Sequence, residues 1–267
     1  MSAVPQPAAD PALVDVRRSG GVVTLTMNRP AQYNALSEGL MEALQRELDR
    51  IATDDSVRAV LIAAAGKAFC AGHDLKEMRA APELGYYQRL FALCGRMMMT
   101  IQKLPVPVIA RVHGIATAAG CQLVAMCDLA VAVREARFAV SGINAGLFCS
   151  TPSVALSRNV PRKMAFEMLV TGDFISADEA RERGLVNRVV EADRLDVEVE
   201  ALVASIVAKP RISIARGKAL FYSQLEQGIE AAYEQAVTTM ACNMMDAPAL
   251  EGVQAFIEKR PPRWDGR

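Results

Sequence analysis

The sequence predicts an α/β protein in which helices cover a mostly parallel sheet. Strand-like and helix-like segments alternate three times between residues 57 and 133, which is typical of parallel strands joined by right-handed crossovers. The chain has 267 residues, of which 52% are hydrophobic and 22% are charged, so it can bury a large core. Thirty basic residues balance thirty acidic ones. This balance argues against nucleic-acid binding and against an anionic membrane surface.

The first predicted elements are a hairpin, a capped helix and a buried strand. Residues 13–17 and 21–27 read as two strands with glycines at the turn between them. Ser37 precedes a helical spacing of apolar residues and suits the N-cap position. Residues 57–65 form a nearly continuous apolar run, as expected for a strand that is buried on both faces.

The middle of the chain repeats this order of strand and helix. A small-residue loop at 66–73 leads to Asp74, which is a suitable N-cap for the next helix. Residues 106–112 predict another strand. The apolar stretch 116–133 is interrupted by polar residues, so it predicts a buried helix followed by a strand rather than a membrane span. After residue 161 the pattern is helical, and the apolar faces of those helices favour packing against another subunit.

We expect a loose tail at residues 1–11, an α/β core at 12–205 and a helical oligomerisation region at 206–267. The six cysteines contain no C-x-x-C pair and the chain has only two histidines, so neither a metal site nor a disulfide framework is expected. The cysteines stand among apolar residues, which suits reduced thiols, and the chain does not open with a signal-peptide pattern. We therefore expect a cytoplasmic protein without membrane insertion.

Two loops of small residues indicate a binding site. Residues 69–76 (F-C-A-G-H-D-L-K) and 113–122 (H-G-I-A-T-A-A-G-C-Q) each follow a buried strand and lead into a helix. The first N–H groups of a helix lack partners, and small side chains let a ligand carbonyl approach them. Two such loops on neighbouring strands can supply the donors of an oxyanion hole. The same small residues also suit tight packing of a helix on a sheet.

These loops, with N-R-P at 28–30, N-A-L at 34–36 and G-L-V at 184–186, resemble the crotonase superfamily, that is, the enoyl-CoA hydratase/isomerase family. Segments 71–76 and 146–152 resemble the group of enoyl-CoA hydratase domain-containing protein 3. The resemblance implies a crotonase-like spiral of β-β-α units with a helical C-terminal region that forms homotrimers or hexamers (dimers of trimers). It also implies a coenzyme A thioester as substrate, with no cofactor and no metal.

The resemblance further implies which residues form the site. The oxyanion hole would use the backbone N–H groups of His73 and Ala119. Contacts to the substrate and to coenzyme A would come from both loops and from the chain ends: Arg29, Ala71, Gly72, Asp74, Leu75, Lys76, Gly120, Phe256 and Lys259. For Arg29 and Lys259, a solvated surface charge is an equally good interpretation. Phe91 and the methionines at 97–99 either belong to the core or line the acyl pocket.

The chain departs from the family at both positions where hydratases carry catalytic glutamates. Gln122 stands at the first position and Gly142 at the second. A neutral amide orients water but cannot take up and return a proton near neutral pH, and glycine has no side chain.

We therefore expect an enzyme, nominally an enoyl-CoA hydratase/isomerase, that polarises a CoA thioester but hydrates crotonyl-CoA inefficiently. The alternative is a non-catalytic acyl-CoA-binding or regulatory protein. Gln122→Glu together with Gly142→Glu should raise hydration measurably, whereas Gln122→Glu alone should do little.

Other side chains are candidates for the missing chemistry. The His73 ring titrates near neutrality, although the family geometry needs only its backbone N–H. Ser150 or Cys149 is a candidate nucleophile, but no charged residue lies between residues 138 and 158 to activate it. A polar wall therefore fits these two residues better. Asp128, between a helix and a strand, fits a structural role.

Overall fold

A computed structural model describes residues 12–264, so the tail predicted at residues 1–11 lies outside the described residues. The strands are β1 (Val14–Ser19), β2 (Val22–Met27), β3 (Ala59–Ala64), β4 (Ala68–Cys70), β5 (Val108–Val112), β6 (Ile115–Thr117), β7 (Leu129–Val133), β8 (Arg137–Ala139), β9 (Ile175–Ser176) and β10 (Arg188–Val190). The α-helices are α1 (Glu38–Ala52), α2 (Leu75–Ala80), α3 (Leu84–Lys103), α4 (Ala119–Met126), α5 (Ser150–Asn159), α6 (Arg162–Thr171), α7 (Ala177–Glu182), α8 (Leu195–Val207), α9 (Arg211–Gln224), α10 (Ile229–Met244) and α11 (Ala247–Ile257).

The strands form two sheets. The larger has the order β1-β2-β3-β5-β7-β10 and is parallel apart from the β1–β2 hairpin. The smaller has the order β4-β6-β8-β9 and is parallel apart from the β8–β9 pair. Successive segments of the chain give one strand to each sheet and then a helix, namely β3-β4-α2, β5-β6-α4 and β7-β8-α5. This is the predicted spiral of β-β-α units.

The larger sheet and its helices confirm the α/β prediction, but the sequence did not show where the strands of the smaller sheet lie. Its strands have two or three residues each, which is too short for an alternating pattern to be recognised. The prediction of a helix and then a strand at 116–133 is confirmed by α4 and β7. The predicted division after residue 205 falls inside α8, and it stays a prediction.

Side-chain caps fix the helices around the first loop. Ser37 caps α1, and Asp74 caps α2 by accepting hydrogen bonds from the N–H groups of Lys76 and Glu77. The side chain of Glu77 binds the start of the other helix, because its Oε2 accepts a hydrogen bond from the Glu38 N–H at 3.0 Å. These bonds tie the starts of α1 and α2 to the loop that follows β4.

Helix α4 packs very close to strand β4. A Cβ atom on Gly120 would lie 2.2 Å from the carbonyl oxygen of Cys70 and 2.8 Å from the carbonyl carbon. Since no residue with a side chain fits this distance, glycine allows the backbones to approach each other. The first turn of α4 is therefore held against the end of the strand that leads into the first loop.

We expect Gly120→Ala to lower the free energy of unfolding by about 1–3 kcal/mol, the usual cost of overpacking. The matched control is Gly95→Ala inside α3, where an added Cβ meets nothing within 4 Å. Since alanine favours a helix interior by about 0.5–1 kcal/mol, this control should stabilise the protein. Urea unfolding followed by circular dichroism measures both changes. Equal effects of the two substitutions would contradict the close approach.

Candidate active site

The two loops singled out in the sequence lie side by side. Strand β4 leads into residues 71–74, and its parallel neighbour β6 leads through Ala118 into α4. Because parallel neighbours end at the same edge of a sheet, the two strand-to-helix turns meet there. Gly72 has a φ of +92°, and a Cβ on it would lie 2.8 Å from Ala118 Cβ and 3.4 Å from Ala119 N. A side chain at this position would force the turns apart.

The backbone N–H groups of His73 and Ala119 are both unpaired in the part of the chain that the structure describes. Ala119 is the first residue of α4, so its N–H has no acceptor within the helix. Leu36 N–H donates to the Gly72 carbonyl at 2.7 Å, and the Leu36 carbonyl accepts from Asp74 N–H at 3.2 Å. The N–H of His73 lies between these bonds and takes part in neither. Within residues 12–264, neither of the two N–H groups donates a hydrogen bond.

The residue before the second donor has a strained backbone. Ala118 has φ 50° and ψ −120°, a conformation that residues with a side chain rarely adopt and that costs on the order of 1–3 kcal/mol. Its N–H donates to the Ala139 carbonyl on β8 at 3.0 Å, and its carbonyl accepts from Gln122 N–H at 3.0 Å. The surrounding strands therefore hold a turn in which one N–H is paired and the next is left free.

A cavity of about 500 Å³ opens beside these turns, and both His73 and Ala119 line it. One wall comes from the first loop and from α2 and α3, and the other comes from residues 141–152. Of the described residues in this lining, none is Asp, Glu, Lys or Arg. The larger apolar side chains are those of Leu75, Met78, Phe91, Leu147, Phe148 and Pro152, and the uncharged polar ones are those of Ser141, Asn144, Ser150 and Thr151.

Comparison with known proteins identifies the family. The family model described as enoyl-CoA hydratase/isomerase matches residues 17–267. The rat protein named enoyl-CoA hydratase domain-containing protein 3, mitochondrial, is 43% identical over 258 residues, which are 97% of this chain and 86% of the rat protein. This chain belongs to the enoyl-CoA hydratase/isomerase family.

Solved structures agree with this assignment. An enoyl-CoA hydratase from Mycobacterium smegmatis has 68% sequence identity and a TM-score of 0.94, with 94% of this chain and 98% of that chain covered. Human enoyl-CoA hydratase domain-containing protein 3 has 42% identity and a TM-score of 0.92, with 94% and 100% covered. The resemblance to the group of enoyl-CoA hydratase domain-containing protein 3 is therefore confirmed.

The expectation of a cytoplasmic protein is contradicted by these relatives. The rat and human members of the group are named as mitochondrial proteins. The expectation rested on buried reduced thiols, and such thiols indicate a reducing environment without identifying the compartment. In the described part of the chain, no helix is long and apolar enough to span a membrane.

Gln122 and Gly142, which the resemblance implies stand at the positions of the family glutamates, differ in their surroundings. Gln122 is 4% exposed, does not line the cavity, and its Oε1 is buried without a hydrogen-bond partner among the described residues. Gly142 does line the cavity. A Cβ atom on Gly142 would lie 2.7 Å from both Cys149 Sγ and the Leu147 carbonyl oxygen. The loop itself therefore fills the space where a side chain at this position would begin.

The His73 ring lies in the cavity wall, with its centroid 5.5 Å from that of Phe91 in an edge-to-face arrangement. Burial lowers the pKa of the imidazole, and the nearby Leu36 carbonyl opposes only part of this effect. Neither ring nitrogen meets the geometry of a hydrogen bond within the described chain. The ring is therefore neutral near pH 7, and no carboxylate among the described residues hydrogen-bonds to it to orient it as a base.

The two candidate nucleophiles lack an activating base. Burial raises the pKa of the Cys149 thiol, whose Sγ lies 3.5 Å from the Val140 carbonyl oxygen. Ser150 Oγ, in the first residue of α5, donates to the Phe148 carbonyl at 3.3 Å. Neither side chain contacts a histidine or a carboxylate in the part of the chain that the structure describes. They fit the polar wall better than a nucleophile.

Arg29 and Asp74, both predicted to contact coenzyme A, bind each other. Arg29 Nη2 lies 3.0 Å from Asp74 Oδ2, and Arg29 Nη1 donates to the Ala35 carbonyl at 2.7 Å. Partial burial alone would raise the pKa of Asp74. The hydrogen bonds from Arg29, Glu77 N–H and Lys76 N–H outweigh burial and hold this pKa below its ordinary value. The pair joins the N-R-P turn to the first loop, and its contact with coenzyme A stays a prediction.

The other predicted ligand contacts divide into two groups. Leu75, 65% exposed, lies at the cavity, and Lys76 beside it is exposed. Phe256, 85% exposed on α11, and Lys259, just after α11, do not line the cavity. Their roles stay predictions.

Several residues of the cavity wall were not predicted from the sequence. Met78 and the loop side chains Asn144, Leu147 and Phe148 line the cavity without having been predicted there. Phe91 also lines it, whereas Met97 and Met98 are buried in the core. The loop carries neither a charge nor a regular apolar spacing, so nothing in its sequence marked Asn144, Leu147 or Phe148 as cavity residues.

Burial of His73 makes stability depend on pH. The pKa of the buried ring lies below the unfolded value of 6.5. The unfolded chain therefore takes up a proton first as the pH falls, and the free energy of unfolding should decrease below about pH 6.5. The slope from this histidine is at most about 1.4 kcal/mol per pH unit.

Urea unfolding between pH 7.5 and 5.5 should show His73→Leu with a smaller pH slope than the wild type. Burial also lowers the pKa of His113, so this second histidine contributes to the pH dependence as well. The same measurement on His113→Leu separates its contribution from that of His73. NMR titration of the two imidazoles assigns each pKa separately. A His73 imidazole that titrates at or above the unfolded value would contradict the burial argument.

Proposed function

We propose that this protein binds an acyl- or enoyl-CoA thioester with the carbonyl oxygen between the N–H groups of His73 and Ala119. The observation that carries the proposal is the pair of free backbone donors on one cavity. Such donors stabilise the negative charge that develops on a thioester oxygen in an enolate or a tetrahedral intermediate, and each contributes about 10²–10³-fold in rate. The cavity walls are uncharged, so the donors act at a low local dielectric.

The site is proposed to polarise the thioester without an efficient route for protons. Gln122 offers a neutral amide and Gly142 offers no side chain. None of the charged residues among those described lines the cavity, and burial lowers the pKa of the His73 ring, which makes the neutral imidazole a weaker base. We therefore propose a CoA-thioester enzyme of the hydratase/isomerase type whose reaction is not efficient hydration of crotonyl-CoA.

A second candidate is a non-catalytic acyl-CoA-binding or regulatory protein. It is favoured by the same uncharged lining, because binding requires the donors but no acid or base. Both candidates need no cofactor besides the thioester. Turnover of any acyl-CoA in a mass-spectrometric screen, dependent on a named side chain, favours the enzyme.

Assembly into a homotrimer or a hexamer is part of the proposal. Helix α10 exposes a row of apolar side chains at helical spacing: Ile229, Tyr233, Val237, Met240 and Met244. Such a row needs a partner surface, and the family resemblance implies that copies of the same chain provide it.

The proposal predicts that the protein polarises a bound thioester carbonyl. The ultraviolet absorption of cinnamoyl-CoA should move to longer wavelength on binding, because hydrogen bonds to the carbonyl oxygen draw electrons along the conjugated system. Ala119→Pro removes one donor, breaking no hydrogen bond of the protein. Affinity for cinnamoyl-CoA should fall about fivefold, since one neutral hydrogen bond contributes on the order of 1 kcal/mol.

Ala119→Gly is the matched control, because it trims the same side chain and keeps the N–H. It should retain the red shift and the affinity. Circular dichroism checks that Ala119→Pro is folded, since Ala118 must precede the proline in a strained conformation. Equal red shifts in folded Ala119→Pro and Ala119→Gly would contradict the assignment of this donor.

We predict that wild-type hydration of crotonyl-CoA is close to background. General acid–base groups contribute about 10²–10⁴-fold each, and both positions lack one.

The structure changes one expectation from the sequence. Gln122→Glu with Gly142→Glu should restore little, because the new Cβ at 142 collides with Cys149 Sγ and the Leu147 carbonyl. A spectrophotometric assay of crotonyl-CoA hydration measures the wild type and the variants. Robust hydration by the wild type that survives Gln122→Ala would contradict the prediction of activity close to background.

A further inference from the structure

A buried ionic cluster anchors the end of the helix that carries the second oxyanion donor. Lys218 Nζ lies 2.6 Å from Asp128 Oδ2, and the two side chains are 7% and 14% exposed. Tyr222 OH donates to Asp128 Oδ1 at 2.7 Å, and Val108 N–H donates to Oδ2 at 2.6 Å. Burial raises the pKa of Tyr222, so its hydroxyl keeps its proton and acts as a donor. Both oxygens of the carboxylate are thus satisfied.

The cluster joins the C-terminal helices to the core. Lys218 and Tyr222 lie four residues apart on one face of α9. Besides binding Asp128, the Lys218 ammonium donates to the Ile101 and Val106 carbonyls at 3.0 Å each. Each of the three ammonium protons therefore has a hydrogen-bond acceptor outside α9. Removing one partner of a buried ion pair leaves the other charge unpaired, so α9 cannot leave this position without a large penalty.

Asp128 follows α4 directly, after the C-cap residue Cys127. Helix α4 has eight residues, so it is a rigid rod of about 12 Å with the Ala119 N–H at one end and this cluster at the other. The first end is held by the contact of Gly120 with Cys70. The second end is held by the cluster, whose cation comes from a helix of the predicted oligomerisation region.

We propose that Lys218 is a positioning residue for the oxyanion hole: it fixes Asp128, Asp128 fixes the end of α4, and α4 carries the Ala119 N–H. The inference rests on the proposed function for its effect on substrate. A displacement of about 1 Å in a group that holds the reacting atoms costs up to about 10²-fold in rate, so a small shift of α4 matters. Docking of the C-terminal helices is thereby coupled to the ability of the site to polarise a thioester.

The test uses the full-length chain with Lys218→Met, which removes the ammonium and keeps an apolar side chain. The matched control is Arg216→Met on the same helix. It breaks the ion pair with Asp246, at 2.9 Å, which joins α9 to the start of α11 and does not reach α4. Hydrogen exchange of the unliganded proteins reports on α4 without any ligand. Peptides from α4 should exchange at least about 10-fold faster in Lys218→Met and within about 2-fold of the wild type in Arg216→Met.

Cinnamoyl-CoA binding gives the second measurement. In Lys218→Met the red shift should shrink and the affinity for cinnamoyl-CoA should fall by about 5-fold, as for loss of one hydrogen bond. Affinity for free CoA, which has no thioester carbonyl, should stay within about 2-fold of the wild type. Lys218→Arg keeps the charge and should restore part of both signals.

Unchanged α4 exchange and an unchanged red shift in folded Lys218→Met would overturn the inference, and so would equal effects in Arg216→Met. If Lys218→Met does not fold, Tyr222→Phe decides, because it removes one hydrogen bond from Asp128 and keeps the ring. Faster α4 exchange in Tyr222→Phe supports the inference, and unchanged exchange overturns it. A wild-type protein that binds cinnamoyl-CoA without any red shift contradicts the proposed function instead, and hydrogen exchange still decides the role of Lys218.

Discussion

The candidate site depends on the close approach of the first turn of α4 to the end of strand β4. The Gly120 backbone lies so near the Cys70 carbonyl that no side chain fits between them. Parallel pairing of β4 with β6 brings both strand-to-helix turns to one edge of the small sheet. Gly72 then lets the turns touch, and the strained Ala118 leaves the next N–H unpaired. These contacts bring His73 and Ala119, whose N–H groups donate no hydrogen bond among the described residues, to the wall of one cavity.

The same packing explains why this site suits carbonyl polarisation better than proton transfer. An uncharged lining strengthens hydrogen bonds to a developing oxyanion, since little solvent or charge competes with them. Burial lowers the pKa of His73 and raises the pKa of Cys149, so near pH 7 the imidazole is a weaker base than a free histidine and the thiol keeps its proton. The loop also leaves no room for a side chain at Gly142, where a Cβ would lie 2.7 Å from both Cys149 Sγ and the Leu147 carbonyl oxygen.

Local signals in the sequence predicted the parts of the site that follow strands. Small residues after buried strands marked both loops, and Asp74 was predicted as a helix cap, which the structure confirms. The missed parts depend on contacts between distant residues. Strands of two or three residues have no readable period, and the loop at 141–152 carries no charge. The Lys218–Asp128 pair joins residues that are 90 positions apart. The sequence therefore indicated a structural role for Asp128 but did not show which residue it binds.

A crystal structure of the protein with a saturated acyl-CoA such as butyryl-CoA tests the central claim most directly, because this ligand has the thioester but no double bond to react. The account predicts the thioester oxygen at about 2.7–3.1 Å from the backbone nitrogens of both His73 and Ala119, with the acyl chain against Phe91. An ordered ligand whose thioester oxygen lies beyond about 3.5 Å from both nitrogens would contradict it.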